Sequence, residues 1–254
     1  MEAFLEANAL KKLLDGIQKK YEVPSFIEKD PISIPHKFNK KEDIETSAFL
    51  TSIISWGNRK AILKSAAFLL ELLENEPYNF IMNASNEECE KLKTFYYRTL
   101  NGEDMFFLAK ALKHVYKEGG FEVFFRRSYA DEPLIERIGR FYSFFKQFLP
   151  ERTKKHVASI DGGSAGKRSN MFLRWMVRSN ERGVDFGLWN CILPAELFLP
   201  LDVHVANIAR SLNFTKRRQN DRKTVEEVTN VLRQFCPEDP VKYDFALFSL
   251  DLEN

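Results

Sequence analysis

Cysteine is scarce in this chain of 254 residues. Cys89, Cys191 and Cys236 are far apart and odd in number. They suggest no disulfide framework and lack the close spacing of a zinc or iron–sulfur site. Such usage fits a reducing, cytoplasmic compartment. Glycine and proline are also sparse, at 11 and 10 residues, which argues against a turn-rich β fold. No apolar run approaches the roughly 18 residues of a membrane span. The opening "MEAFLEANALKKLLDG" has early acids and no long apolar core, so it does not read as a signal peptide. Strand alternation, repeats and low-complexity segments are missing as well.

Phenylalanine is abundant, at 23 residues, and helical periodicity recurs. "EAFLEANALKKLLDGIQKKY" carries apolar residues at helical spacing. "EDIETSAFLTSIISW" and "RKAILKSAAFLLELLEN" read as two helices joined by a turn at Gly57 and Asn58. "EECEKLKTFYY", "GEDMFFLAKALKHVYKEGG", "FEVFFRRSY" and "PLIERIGRFYSFFKQFLP" continue the pattern. Further helices are expected from Lys167, after Asp202, over "RKTVEEVTNVLRQF" and near "PVKYDFALFSL". The expected fold class is all-α, with no linker long enough to force independent domains.

Charge is unevenly spread. The formal net charge is +2, yet residues 151–223 hold fourteen Lys and Arg against seven Asp and Glu. A basic segment in a near-neutral chain suits either a polyanion partner or a solvated surface.

Four stretches carry candidate chemistry. "GGSAGKRSN" places Gly162, Gly163 and Gly166 before a helix, where backbone N–H groups can face a phosphate or simply form a flexible turn. On that helix Lys167, Asn170, Arg174 and Arg178 fall on one face, opposite Met171, Phe172, Trp175 and Met176. The helix dipole disfavours a cation at Lys167, which favours the neutral, nucleophilic amine; reaching solvent is the plainer alternative. Asp202, in "LFLPLDVHVANIARSL", is either an N-cap or a carboxylate suited to general-base or cation-stabilising work. His204, two residues on, reads by itself as structural. "SWGNRKA" puts Trp56, Asn58, Arg59 and Lys60 at a helix–helix turn, suited to nucleic-acid insertion or to a plain polar turn. "TKRRQNDRK" is a basic loop of the usual solvated kind.

These pieces, in this order, resemble the helix-hairpin-helix (HhH-GPD) DNA glycosylases related to endonuclease III, over roughly residues 45–250. "KRSNMFLRWMVR" and "PLDVHV" also resemble the signatures of a bacterial family of unassigned function. The superfamily resemblance implies a compact two-lobed helical fold, one lobe near residues 40–150 and the other joining 1–40 with 151–254. It implies Lys167 as Schiff-base nucleophile and Asp202 as the catalytic aspartate. Implied DNA contacts are Asn58, Arg59, Lys60, Gly163, Gly166, Arg168, Asn170, Arg174 and Arg178. Trp56, Trp175 and His204 are the implied base-pocket residues, and Asn58 is the equivalent of the residue inserted beside an extruded base. The implied partner is double-stranded DNA, bound by a monomer with no membrane role, and the implied activity is base excision with lyase cleavage, on an oxidised purine by analogy.

Three departures from that pattern stand out. "DGGSA" replaces the usual "LPGVG" hairpin. Lys167 and Asp202 are 35 residues apart, wide for most glycosylases, though one archaeal 8-oxoguanine branch also shows wide spacing. The intervening "SNERGVDFGLWNCILPAE" is expected to loop out, with a short helix around "DFGLWNCIL". The chain ends at "FSLDLEN", where endonuclease III continues into a four-cysteine loop, so no iron–sulfur cluster and no metal are expected. A non-catalytic nucleic-acid binder on the same fold, and a helical protein without a nucleic-acid role, remain the alternatives.

Overall fold

Caps and breakers set most of the element boundaries. Asn58, Asn101, Asp202 and Asp221 each accept a backbone N–H of the first helical turn that follows them, which satisfies one of that turn's orphan donors. Apolar spacing does the rest. The computed structural model describes residues 2–250. Its helices are α1 Glu2–Tyr21, α2 Lys41–Ile54, α3 Arg59–Leu72, α4 Pro77–Asn83, α5 Asn86–Cys89, α6 Gly102–Lys117 and α7 Phe121–Phe125. They continue as α8 Leu134–Lys146, α9 Glu151–Lys154, α10 Lys167–Val177, α11 Val203–Ser211, α12 Arg222–Phe235 and α13 Asp244–Leu250. The fold class is all-α.

Two local expectations fail. "EECEKLKTFYY" does not form one helix: α5 passes through a 3-10 turn into a small antiparallel hairpin, β1 Tyr96–Tyr97 against β2 Leu100–Asn101. Its alternation is too short to stand out against helical periodicity. "DFGLWNCIL" forms no helix either. Residues 185–193 run irregularly past the end of α10, with the N–H groups of Phe186 and Trp189 donating to the Trp175 and Met176 carbonyls, at 2.8 and 3.0 Å. Those bonds satisfy carbonyls that a helix end leaves open.

The chain divides into two units, Ile27–Ser159 and Met1–Phe26 with Ile160–Asn254. Residues 27–40 and 151–159, which the glycosylase resemblance groups with the termini, sit in the central unit. That unit is built around phenylalanine. Phe141 of α8 packs against Phe49, Phe121, Phe124, Phe125 and Phe145 at centroid distances of 5.4–5.8 Å, spacings at which ring pairs add to simple burial. In the other unit α1 lies against α13, and α11 also packs on α13. Among the described residues no helix is long and apolar enough to cross a membrane.

Candidate functional site

The glycine turn before α10 is required by its backbone. Gly166 has φ +57°, and a Cβ there would sit 2.8 Å from the Ile160 nitrogen. Only glycine meets both demands at low cost. The amides of Gly163 and Gly166 are not presented to a ligand, however. The Gly163 N–H donates to the Ile160 carbonyl at 3.0 Å, and the Gly166 N–H donates to Ser164 Oγ at 3.1 Å. This corrects the expectation that Gly163 and Gly166 contact phosphate. A 3-10 turn, Ile160–Gly162, precedes it where a hairpin would have a regular helix.

The polar face of α10 splits in two. Lys167 and Arg168, in its first turn, are half-buried and reach the surface. Asn170 is buried and donates from Nδ2 to the carbonyls of Ala165, at 3.2 Å, and Leu199, at 3.4 Å. That bond ties the start of α10 to the segment leading into Asp202. Arg174 and Arg178 are buried as well. Arg174 pairs with Asp244 and lies 3.4 Å from Asp185, its guanidinium over the Phe245 ring. Arg178 donates to Glu22, Asp185 and Asp239. Neither guanidinium is available to DNA, because carboxylates inside the unit already neutralise both. Asn170, Arg174 and Arg178 are thus corrected from DNA contacts to interior ties. Trp175 is wholly buried, which removes it from any base pocket.

Asp202 caps α11, accepting the Val205 N–H at 3.0 Å, and is half-buried. Asp244, at the start of α13, responds to the charges of both Lys167 and Asp202. Burial, foremost, pushes its carboxyl up to about 6. The Arg174 guanidinium and the Lys167 ammonium pull the other way, and the Asp202 carboxylate adds to the rise. Lys167 and Asp202 therefore both lie within electrostatic reach of one buried carboxyl, and the Asn170–Leu199 bond joins the same two segments. His204 and Val203 are exposed on the first turn of α11. His204 is a surface side chain, not part of an enclosed pocket wall.

A pH signature follows from this cluster. Asp244 binds its proton more tightly folded than unfolded, so its contribution falls as pH rises from about 4, its ordinary value, through about 6. Groups held low, such as Asp15 at about 2 beneath Lys11, Lys242 and Tyr243, lose their contribution only as pH falls below about 4. Stability is expected to decline between about pH 4 and 6.5 by about 2 kcal/mol from Asp244. Asp244→Asn should flatten that slope in urea titrations at stepped pH. An unchanged slope would refute the assignment.

The turn at residues 55–60 belongs to the central unit. Asn58 is exposed and caps α3 by accepting the Ala61 N–H at 3.1 Å. Arg59 and Lys60 are exposed beside it. Trp56 is half-buried. Its carbonyl accepts the Tyr97 hydroxyl at 2.6 Å, and the Arg98 guanidinium lies 4.2 Å from its ring centroid. One face of the indole is thus occupied by Arg98, a residue that sequence reasoning did not single out. Gly57, at φ +97°, leaves room for it, since a Cβ would meet Arg98 Nη1 at 2.2 Å. Neither the tip of a short hairpin nor its reach over Trp56 has a periodic signature.

Among the described residues, no group of three or more His, Cys, Asp and Glu side chains is disposed to hold a metal ion. A family model described as "Protein of unknown function (DUF2400)" matches residues 30–253. No curated protein and no solved structure matches the chain.

Proposed function

We propose, for a chain that belongs to the DUF2400 family and takes no activity from that membership, a DNA base-excision glycosylase with lyase action. The observation that carries this reading is that the Asn170–Leu199 bond joins the segments bearing Lys167 and Asp202, and that both charges act on the buried Asp244 carboxyl. Two helix starts thus offer an amine and a carboxylate within electrostatic reach of one buried carboxyl. That combination resembles the catalytic pair of the helix-hairpin-helix glycosylases.

The chemistry follows from the two groups. A damaged nucleotide, flipped from the duplex, presents its anomeric carbon. The Lys167 amine, which must give up its proton to expose a lone pair, attacks that carbon as the glycosidic bond breaks and the base leaves with the bonding electrons. Loss of an amine proton gives an aminal; its C1′–O4′ bond then breaks, O4′ takes up a proton and the ring opens to the Schiff base, from which loss of a C2′ proton and of the 3′-phosphate (β-elimination) cleaves the strand. Asp202 stabilises the positive charge that develops on the sugar and assists proton transfer. Asn58, Arg59 and Lys60 are exposed for backbone or base contact, and Arg98 joins them. Oxidised purine is the substrate class and the cytoplasm the compartment in this reading.

Asp202→Asn separates the cap from the catalyst. Asparagine caps a helix as well as aspartate does, so thermal stability should hold. Base release from an 8-oxoguanine duplex should fall by about 10²–10³-fold, the usual effect of removing one transition-state charge partner. Equal release by both proteins, or none from oxidised, alkylated or abasic duplexes, would refute the proposal. The second outcome would favour a non-catalytic binder, a reading supported by the internally bonded amides of Gly163 and Gly166.

A further inference from the structure

The basic loop at residues 215–223 has a more specific design than its composition suggests. Flexible, solvated lysines and arginines are the ordinary outcome for such a sequence. Here the backbone is braced. Arg210, in the last turn of α11, donates from Nε to the Arg217 carbonyl at 2.8 Å and from Nη2 to the Arg218 carbonyl at 3.0 Å, and it also reaches the Asn220 side chain. Thr224 Oγ1 donates to the Gln219 carbonyl at 2.6 Å, and the Arg217 N–H donates to Thr215 Oγ1 at 3.1 Å.

The same loop is fastened to the glycine turn. Ser164 and Asp221 form an antiparallel bridge, and the Arg222 N–H donates to the Gly163 carbonyl at 3.1 Å. So this loop is bonded on one side to the turn that introduces Lys167. On the other it is bonded to the helix that Asp202 caps. Asp202 and Arg210 are eight residues apart, about 12 Å along a helix. That is only a few base steps of duplex at about 3.4 Å each.

Charge in the loop is divided by role. Arg217 is paired with Asp221 and Arg222 with Glu226. Lys216, Arg218 and Lys223 are exposed and project from the braced backbone. No aromatic residue occurs in the stretch, so it offers nothing for unstacked bases. What it offers is fixed positive charge with most of the ordering cost already met by the fold.

We propose that this loop is a binding site for the phosphodiester backbone of duplex nucleic acid, with Lys216, Arg218 and Lys223 as its phosphate contacts. It takes the place of the Gly163 and Gly166 amides, which bond within the turn. The proposal rests on the nucleic-acid part of the reading above and not on its catalytic part.

The test uses the full chain and a fluorescein-labelled 20-base-pair duplex, read by anisotropy from low to moderate salt. K216Q/R218Q/K223Q removes three charges from the loop. K12Q/K19Q/K20Q removes three from exposed positions on α1 and serves as the control. Each phosphate contact contributes about 0.9 to the slope of log affinity against log salt. The loop variant is expected to lose about 2–3 from that slope and to bind at least tenfold more weakly, while the control changes little. Equal slopes for wild type and loop variant would overturn the proposal. So would equal losses in both variants, tighter binding to the single strand than to the duplex, or no salt-dependent duplex binding by the wild type. Slope loss without base release by the wild type supports the loop and refutes only the glycosylase. Base release with an unchanged slope does the reverse.

Discussion

Arg178→Met is expected to lower the unfolding free energy by about 3–5 kcal/mol, the cost of breaking a buried ion pair from one side. Arg178 is 4% exposed, and all three guanidinium nitrogens donate to carboxylates. Nε faces both Asp239 oxygens at 3.0 Å, Nη2 donates to Asp239 at 2.9 Å, and Nη1 donates to Glu22 at 2.8 Å and to Asp185 at 2.5 Å. Those carboxylates hold its charge firmly: their attraction raises its affinity for a proton despite burial. Methionine matches much of the volume but leaves Glu22 and Asp185 buried with less counter-charge. Asp185 would retain Arg174 at 3.4 Å, and Glu22 would retain Arg182 at 3.7 Å, which keeps the loss within that range. Against a total stability of about 5–15 kcal/mol the change is large. Urea unfolding gives it directly. A shift below about 1 kcal/mol would mean that the network contributes little. Arg178→Lys keeps the charge but loses the planar fork, and should fall between the two.

Lys167→Gln is expected to do the opposite: large loss of chemistry, small loss of stability. Lys167 is half-buried at the first position of α10. Glutamine is a good helix former, so the change should stay within about 0.5 kcal/mol, as for ordinary surface substitutions. If the amine is the nucleophile, no other group on the helix replaces it. Arg168 stays protonated, and Asn170 is buried and committed to backbone carbonyls. Strand cleavage at a lesion should then fall by at least about 10³-fold. A tenfold drop accompanied by weaker binding would indicate only a lost charge.

The contrast between these two residues shows where sequence was legible. Both stand on one helical face, and periodicity placed them there correctly. It could not say which part of the face meets solvent. The clue was the company they keep: Phe172, Trp175 and Met176 predict a helix buried on most sides, and an arginine in such a helix needs carboxylates nearby. Those acids, Glu22, Asp185, Asp239 and Asp244, are scattered over more than two hundred residues, and only the folded chain assembles them. The glycine turn was legible as a turn, because φ +57° at Gly166 demands glycine. The direction of its amides was not, since Ile160 and Ser164 compete for them at close range. Asp202 was legible as a cap from its flanks. Asp244, whose carboxyl feels the Asp202 charge, was invisible, being one acid among thirty-six with no motif around it.

The central claim is that Lys167 and Asp202 form one catalytic pair, and borohydride trapping tests it most directly. The wild type is incubated with duplexes carrying oxidised purines or abasic sites, reduced, digested and sequenced by mass spectrometry. The account predicts a covalent DNA adduct on the peptide containing Lys167, strongly diminished in Asp202→Asn and absent in Lys167→Gln. An adduct on another lysine, or none on any of these duplexes, would contradict it.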